Sequence, residues 1–589
     1  MRRAMVKAFT LKRAARHAGI FVAVLSISAC AAMAQAKTEG RAPAAKPASR
    51  PKLVVMIVVD QMRADYVDKF RGQWTGGLKR LVDEGAWFHE AAYPYAATET
   101  CVGHSTISTG SFPATHGMVT NDWWDRAEQK NVTCTFDPKA KNVAYGGATL
   151  KGGDSAWRML MPAFADELKY QSGSGTRIVT FSLKARSAIT LGGRSGDAVT
   201  WFDSGSWTTS TAYPVSSFVE DYAKANPVAK DYGKTWAPLL DRSKYFYGET
   251  AVGAVAPPGF GAAFPHPLRG TAESTGPDGA FYFQWSTSPF ADTYLAEIAA
   301  SAVEKMGLGK NGTDYLGVSF SSVDYVAHAF GPRSWEVQDE LARLDRDLGV
   351  FFARLDKAVG RNNYIVAFSA DHGGAPIPED LQQANGDAGW VNLEAVKEKI
   401  EQTLEPFNYT KPAIANVGGS DVYFSPGIYD KLKSDPAAMH AVIEAMQSLP
   451  GVAHVYRAEE LEDRPATQSP FCAAEANSFL RSRSGDLLIL PKPFWLWDYS
   501  TPKSPRRYGT THGTPYYYDQ RVPIAFMGWG IRRGAYFGRA TPADIAPTLA
   551  ELCGITLASR DGHVLYEALA QSSAKQTSAP PKPTAEPKP

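Results

Sequence analysis

Short apolar runs of strand length alternate along this chain with stretches whose apolar residues recur at helical period. KLVVMIVV (52–59), RIVTFS (177–182), YLGVSFS (315–321), YIVAFS (364–369) and VPIAFM (522–527) are apolar nearly throughout. That is the pattern of strands covered on both faces. ADTYLAEIAASAVEKMG and the segment from Ser334 to Gly360 carry helical spacing between them. Repeated alternation of the two predicts an α/β fold with a mostly parallel sheet.

The two ends of the chain have a different composition. Residues 1–36 combine a basic start without acids, the apolar run IFVAVLSISACAAMA and small residues suited to cleavage. This is the pattern of a secretory signal, and the run is shorter than the ~20 residues a membrane span needs. A periplasmic or secreted bacterial protein is expected. Ile27-Ser28-Ala29-Cys30 resembles a lipobox, so a lipid anchor at Cys30 stays open as the alternative to a soluble product. Residues 37–51 form a Pro/Ala linker and 571–589 a tail of disordered composition. The segment 52–570 between them is expected to be one domain, with insertions at about 200–280 and 385–480 where the strand–helix rhythm breaks. A net charge of +2, without a basic run in the mature region, gives no case for a nucleic-acid partner. Removal of the signal leaves Cys101, Cys134, Cys472 and Cys553. In an oxidising compartment these permit disulfides, in three connectivities.

Three apolar runs lead into carboxylates. Asp60 follows VVMIVV, Asp371 with His372 follows YIVAFSA, and Asp324 follows SFSSV with His328 four residues on. In an open α/β sheet, ligand groups collect beyond the carboxyl ends of the strands, so these residues converge on one rim. A single Asp in such a place is more often a turn former or helix cap. Three together, two with a neighbouring His, have the donor set of a divalent-metal site with an open position. One more imidazole is needed from downstream, and His512 and His563 both qualify.

These residues sit in motifs whose order resembles the alkaline phosphatase superfamily. VVDQMRADY, TETCVGH, FPATHGMVTNDWW, VDYVAHAFGP, FSADHGG, THGTP and TPADIAPTLAELCGI span residues 52 to about 570. Within the superfamily the chain is similar to the bacterial alkaline phosphatases of the PhoK and PafA type. That resemblance implies a three-layer α/β/α fold, inserted subdomains, and two zinc ions with a threonine nucleophile. Carried over by motif, Asp324, His328 and His512 would hold one zinc. Asp60, Asp371 and His372 would hold the other, with the nucleophile's oxygen beside it. The segment GMVTNDW supplies Asn121 as a phosphoryl contact, and family spacing selects Thr100 rather than Thr98 as the nucleophile. Thr100 also lies where a helix N-cap is expected, a setting that favours phosphate. Lys184 and Arg186, a Lys-x-Arg pair after a strand, would clamp the remaining oxygens.

A phosphate monoester is dianionic, and a guanidinium with an ammonium suits it. A diester carries less charge and a second organic group. The expected activity is hydrolysis of small phosphate monoesters by a monomer without a membrane span, and the resemblance implies alkaline pH and a phosphothreonine intermediate. A nucleotide pyrophosphatase/phosphodiesterase of the same superfamily is the alternative, and a non-catalytic metal-binding relic the remote one. A sulfatase is disfavoured because Cys101 lacks the C/S-x-P-x-R context. Cys101 is instead expected to be structural and paired with Cys134, and His104 and His116 to be packing or capping residues.

Overall fold

A computed structural model describes residues 50–173, 175–462, 469–501 and 503–570. The signal segment, Cys30, most of the linker and the tail lie outside the described residues.

Ten strands form the principal sheet: β1 (Leu53–Val59), β2 (Ala86–Ala91), β3 (Asn142–Ala144), β4 (Ile178–Ser182), β5 (Ala198–Asp203), β6 (Ser206–Ser210), β7 (Asp314–Phe320), β8 (Tyr364–Ser369), β9 (Ile524–Gly528) and β10 (Gly534–Ala540). Their order across the sheet is β10-β2-β9-β8-β1-β7-β4-β5-β6-β3. The central run β8-β1-β7-β4-β5 is parallel throughout. β9 lies antiparallel to both β8 and β2.

The layering follows from β1, whose seven residues are all buried. Leu53, Val55, Ile57 and Val59 enter one hydrophobic core. Val54, Met56 and Val58 enter another. A strand alternates its side chains between faces, so two separate cores mean that both faces are covered. The first core includes apolar residues of the helices Pro289–Met306 and Trp335–Ala358. The second includes those of the helix Ile545–Cys553. This is the three-layer α/β/α arrangement with a mostly parallel centre.

A smaller four-stranded sheet uses Ile414–Gly418, Asp421–Phe424, Leu487–Pro491 and Val452–Arg457, in that spatial order. With the helices Leu393–Leu404 and Pro436–Gln447 it encloses its own core, which includes Val396, Ile400, Val442 and Ile489. Cys101 and Cys134 are joined in a disulfide. Cys472 and Cys553 are buried thiols.

Parallel pairing places the C-terminal ends of β1, β7, β8 and β4 at one rim. Three helices reach that rim: α1 (Thr100–Thr109), α2 (Ala185–Gly192) and α3 (Ser322–Phe330). Asp60 follows β1 directly, and Asp371 and His372 stand two and three residues past β8. Lys184 stands two residues past β4, at the N-cap of α2. Asp324 lies in the first turn of α3, which follows β7, and His328 in its last. His512 reaches the same rim by a different route. β9 is antiparallel to β8, with Ile524 opposite Ser369, so the chain entering β9 comes from the end that β8 leaves.

Candidate active site

At this rim the side chains of Asp60, Asp371, His372 and Thr100 are at most 1% exposed, and Asp324 is 2% exposed. One set of donor atoms within 4.8 Å of one another comes from Asp60, Asp371 and His372, and a second from Asp324, His372 and His512. His328 joins the second set through Asp324, with Nε2 3.2 Å from Oδ1. His372 lies between the two sets, and its ring stacks on that of His512 at 3.6 Å between centroids.

All three histidines are held in the same tautomer. Nδ1 of His328 faces the Thr510 carbonyl at 2.7 Å, Nδ1 of His372 the Gly373 carbonyl at 2.8 Å, and Nδ1 of His512 the Thr98 carbonyl at 2.8 Å. A carbonyl only accepts, so each Nδ1 carries a proton and each Nε2 is left to face the rim. Second partners of this kind orient metal-binding imidazoles. Burial and the neighbouring His372 and His328 rings hold His512 well below the usual imidazole range. Burial likewise lowers His372.

The carboxylates are short of partners. Apart from Lys184 beside Asp60 and His104 beside Asp371, no described residue donates to either oxygen of Asp60 or to Oδ2 of Asp371. The Lys184 ammonium forms ion pairs of 2.6 Å with Oδ2 of Asp60 and Oδ2 of Asp324. Burial, with Asp324 and Asp371 nearby, raises the Asp60 carboxyl well above its usual range. Burial would also raise Asp324, but Lys184, His328 and His512 outweigh it and hold that carboxyl low. Three buried carboxylates against one buried ammonium leave uncompensated negative charge, which is costly in a dry interior. Carboxylate oxygens so short of donors, beside three imidazole Nε2 atoms, fit divalent cations.

α1 delivers Thr100 to this cluster. Glu99 occupies the N-cap, so Thr100 is the first helical residue rather than the cap expected from the sequence. Its Oγ1 lies 3.5 Å from Nε2 of His372 and 3.5 Å from Nη2 of Arg186. The approach of α1 requires Gly103, because a Cβ there would stand 1.9 Å from the Asp371 carbonyl oxygen. The helix end is also less free for an anion than expected. The Cys101 N–H is given to Oδ1 of Asn121 at 2.8 Å. Arg186 has no ion pair among the described residues, and its Nε is buried without a hydrogen-bond acceptor.

Thus Asp60, Thr100, Lys184, Arg186, Asp324, His328, Asp371, His372 and His512 meet at one rim. Asn121 joins them through the first turn of α1. Thr98 and His563 stand apart. Thr98 brackets the His512 loop, its Oγ1 donating to the Thr514 carbonyl and accepting the Thr514 N–H, both at 3.0 Å. His563 has an 87% exposed side chain beside Asp544.

Three residues carry more than sequence reasoning gave them. Gln61 donates its backbone N–H to Asp371 at 3.0 Å and its Nε2 to Asp324 at 2.8 Å. It does so from a left-handed backbone, φ 62°. The one signal for it is its place immediately after Asp60. His104, expected as a packing residue, sets Nδ1 2.8 Å from the Thr100 carbonyl and 3.2 Å from Oδ2 of Asp371. Glu99 holds the Asn121 N–H at 2.6 Å, and burial pushes its carboxyl up to about 7. His116 is buried against Thr106, and burial lowers it to about 3.

The family model described as "Type I phosphodiesterase / nucleotide pyrophosphatase" matches residues 54–515. The chain is 33% identical over 525 residues to the alkaline phosphatase PafA of Elizabethkingia meningoseptica, covering 87% of this chain and 93% of that one. It is 32% identical over 535 residues to the alkaline phosphatase PhoK of a Sphingomonas species, covering 86% and 89%. The crystal structure of wild-type PafA superposes with a TM-score of 0.79 at 32% identity, over 89% of this chain and all of that one. No described helix is long and apolar enough to cross a membrane. With its motifs, sheet and rim cluster in one frame, the chain belongs to the type I phosphodiesterase/nucleotide pyrophosphatase family of the alkaline phosphatase superfamily.

Proposed function

We propose that this enzyme is a zinc-dependent alkaline phosphatase that hydrolyses small phosphate monoesters through a phosphothreonine at Thr100. The observation that carries the proposal is the Arg186 guanidinium, without an ion pair among the described residues and 3.5 Å from the Thr100 hydroxyl. An unpaired guanidinium beside a candidate nucleophile is a place for phosphoryl oxygens. The relatives named alkaline phosphatases support the same reaction class.

Asp60, Asp371, His372 and Thr100 would hold one zinc ion, and Asp324, His328 and His512 the other. Bound there, the two ions supply Lewis acidity that lowers the hydroxyl pKa and stabilises charge on the departing oxygen. Thr100 passes its proton to solvent and attacks phosphorus in line, so its Oγ1–P bond forms as the bond to the leaving alcohol breaks. The alcohol leaves with a proton from solvent. Water then cleaves the Thr100–phosphoryl bond and frees inorganic phosphate.

Arg186 offers a planar fork to the nonbridging oxygens. Lys184 has three ammonium donors, and its ion pairs with Asp60 and Asp324 leave one for substrate. Asn121 contributes a neutral donor. Together they favour a dianionic monoester over a diester. Catalysis in this reading is mostly positional and electrostatic.

Thr100→Ala is expected to keep its zinc, two ions per chain by elemental analysis, and to lose p-nitrophenyl phosphate turnover by about 10³-fold or more. Normal turnover by that variant would refute the nucleophile. A preference for bis-p-nitrophenyl phosphate over the monoester would move the assignment to a phosphodiesterase. Oligomeric state is proposed as monomeric and is read by light scattering. Export to the periplasm or medium follows from the signal pattern at residues 1–36 and is read by N-terminal sequencing of the mature protein.

A further inference from the structure

Asn121 precedes the short strand Asp122–Asp125, outside any helix, yet three hydrogen bonds fix it. The Glu99 carboxylate accepts its backbone N–H at 2.6 Å. Its backbone carbonyl accepts the Cys134 N–H at 2.9 Å. Its side-chain Oδ1 accepts the Cys101 N–H at 2.8 Å. Two of these partners are therefore the two half-cystines of one disulfide, both fully buried.

The pairing decides which way the amide faces. A backbone N–H only donates, so the atom against Cys101 is the carbonyl oxygen. Nδ2 is turned the other way and donates to no described residue. Cys101 is the neighbour of Thr100 in the first turn of α1, so the covalent link ties the helix bearing Thr100 to the segment that carries Asn121. Either half-cystine can move with its own element only if the S–S bond is broken, and Asn121 is held to both.

We infer that the Cys101–Cys134 disulfide is a positioning device for Asn121, keeping Nδ2 presented to the phosphoryl group beside Thr100. This inference rests on Asn121 being a phosphoryl contact. A disulfide that only constrained the unfolded chain would change stability and leave the rate contribution of Asn121 untouched. Here the link supports a donor, and the two roles separate in a double-mutant cycle.

The cycle compares the wild type, Asn121→Ala, the pair Cys101→Ala with Cys134→Ala, and all three changes together. Turnover of p-nitrophenyl phosphate and inhibition by inorganic phosphate are measured on zinc-loaded protein, at a temperature where circular dichroism shows all four folded. Asn121→Ala is expected to lower kcat/KM by about 10–100-fold, the scale of a hydrogen bond to a charged group. Loss of the disulfide is expected to cost about 3–10-fold with Asn121 present and less than about twofold in the Asn121→Ala background. Phosphate inhibition should weaken in the same pattern. Equal losses in both backgrounds, or none in either, overturn the positioning role. An Asn121→Ala enzyme with full activity instead overturns the phosphoryl contact, whatever the cysteines do. If the cysteine variant does not fold, phosphine reduction of natively folded wild-type and Asn121→Ala protein closes the same cycle, with the same outcomes.

Discussion

At the scale of single residues, Gln61 ties two rim carboxylates together, giving its backbone N–H to Asp371 at 3.0 Å and its Nε2 to Asp324 at 2.8 Å. Asp60, Asp371 and Asp324 stand out in the sequence because each follows an apolar run. Gln61 does not, since its two bonds to Asp371 and Asp324 depend on a left-handed backbone at φ 62°. Asn, Asp and Gly take that conformation more readily than Gln, so its presence there fits a role for the side chain. Gln61→Leu keeps the chain length but loses the Nε2 bond to Asp324. Its affinity for zinc should fall about 10-fold, read by competition with a chromogenic chelator. Unchanged zinc affinity would leave Gln61 as a turn residue only. Gly103 is the complementary case, needed for what it lacks. Gly103→Ala places a methyl group 1.9 Å from the Asp371 carbonyl oxygen and must push α1 away from the rim. Activity should fall by about 100-fold or more, the scale expected when reacting groups are displaced by about 1 Å. An active Gly103→Ala enzyme would mean that α1 can shift without displacing Thr100.

Elements were readable from periodicity because the sheet is buried on both faces. The run 52–59 contains β1, and the helical spacing from Ser334 to Gly360 becomes the helix Trp335–Ala358. What periodicity does not carry is how a loop without its own pattern is steered. His512 competes with His563 on sequence grounds, and the structure separates them by strand direction: the antiparallel β9 brings its leading segment back to the rim that β8 leaves. Thr98 then pins that loop. Its hydroxyl donates to the Thr514 carbonyl and accepts the Thr514 N–H, while its own carbonyl orients His512. In the proposed reading Thr98 therefore supports a ligand, and Thr100 takes part in the reaction. Thr98→Val, similar in shape without the hydroxyl, should weaken zinc retention about 10-fold during dialysis, with lost turnover restored by excess zinc. Thr100→Ala should show the reverse, with retained metal and no rescue. Loss of turnover in Thr98→Val that zinc does not restore would count against this division of roles.

For the molecule as a whole, buried carboxyls outside the rim's donor set bear on how stability depends on pH. Asp292 is pushed up to about 7, Asp519 to about 7 and Glu475 to about 8, each chiefly by burial. All three are at most 2% exposed. In the unfolded chain such groups ionise near pH 4, so between about pH 4.5 and pH 8 the folded state holds protons that the unfolded state has released. Stability contributed by the protonated native forms is full below the unfolded pKa and lost as pH rises through the folded one. An enzyme expected to work at alkaline pH therefore operates where this contribution is gone, and cations bound at the native rim would offset the loss. Glu475 isolates the effect because burial and the Asp421 charge, both outside the rim cluster, raise it. Glu475→Gln cannot ionise, so its Tm should match the wild type near pH 5 and exceed it by about 1–3 °C at pH 9, a few kcal/mol spread over a chain of this size. Thermal melts of zinc-loaded protein across that range read the difference directly. Curves that stay parallel from pH 5 to pH 9 would show that Glu475 ionises in the folded protein as it does in the unfolded chain.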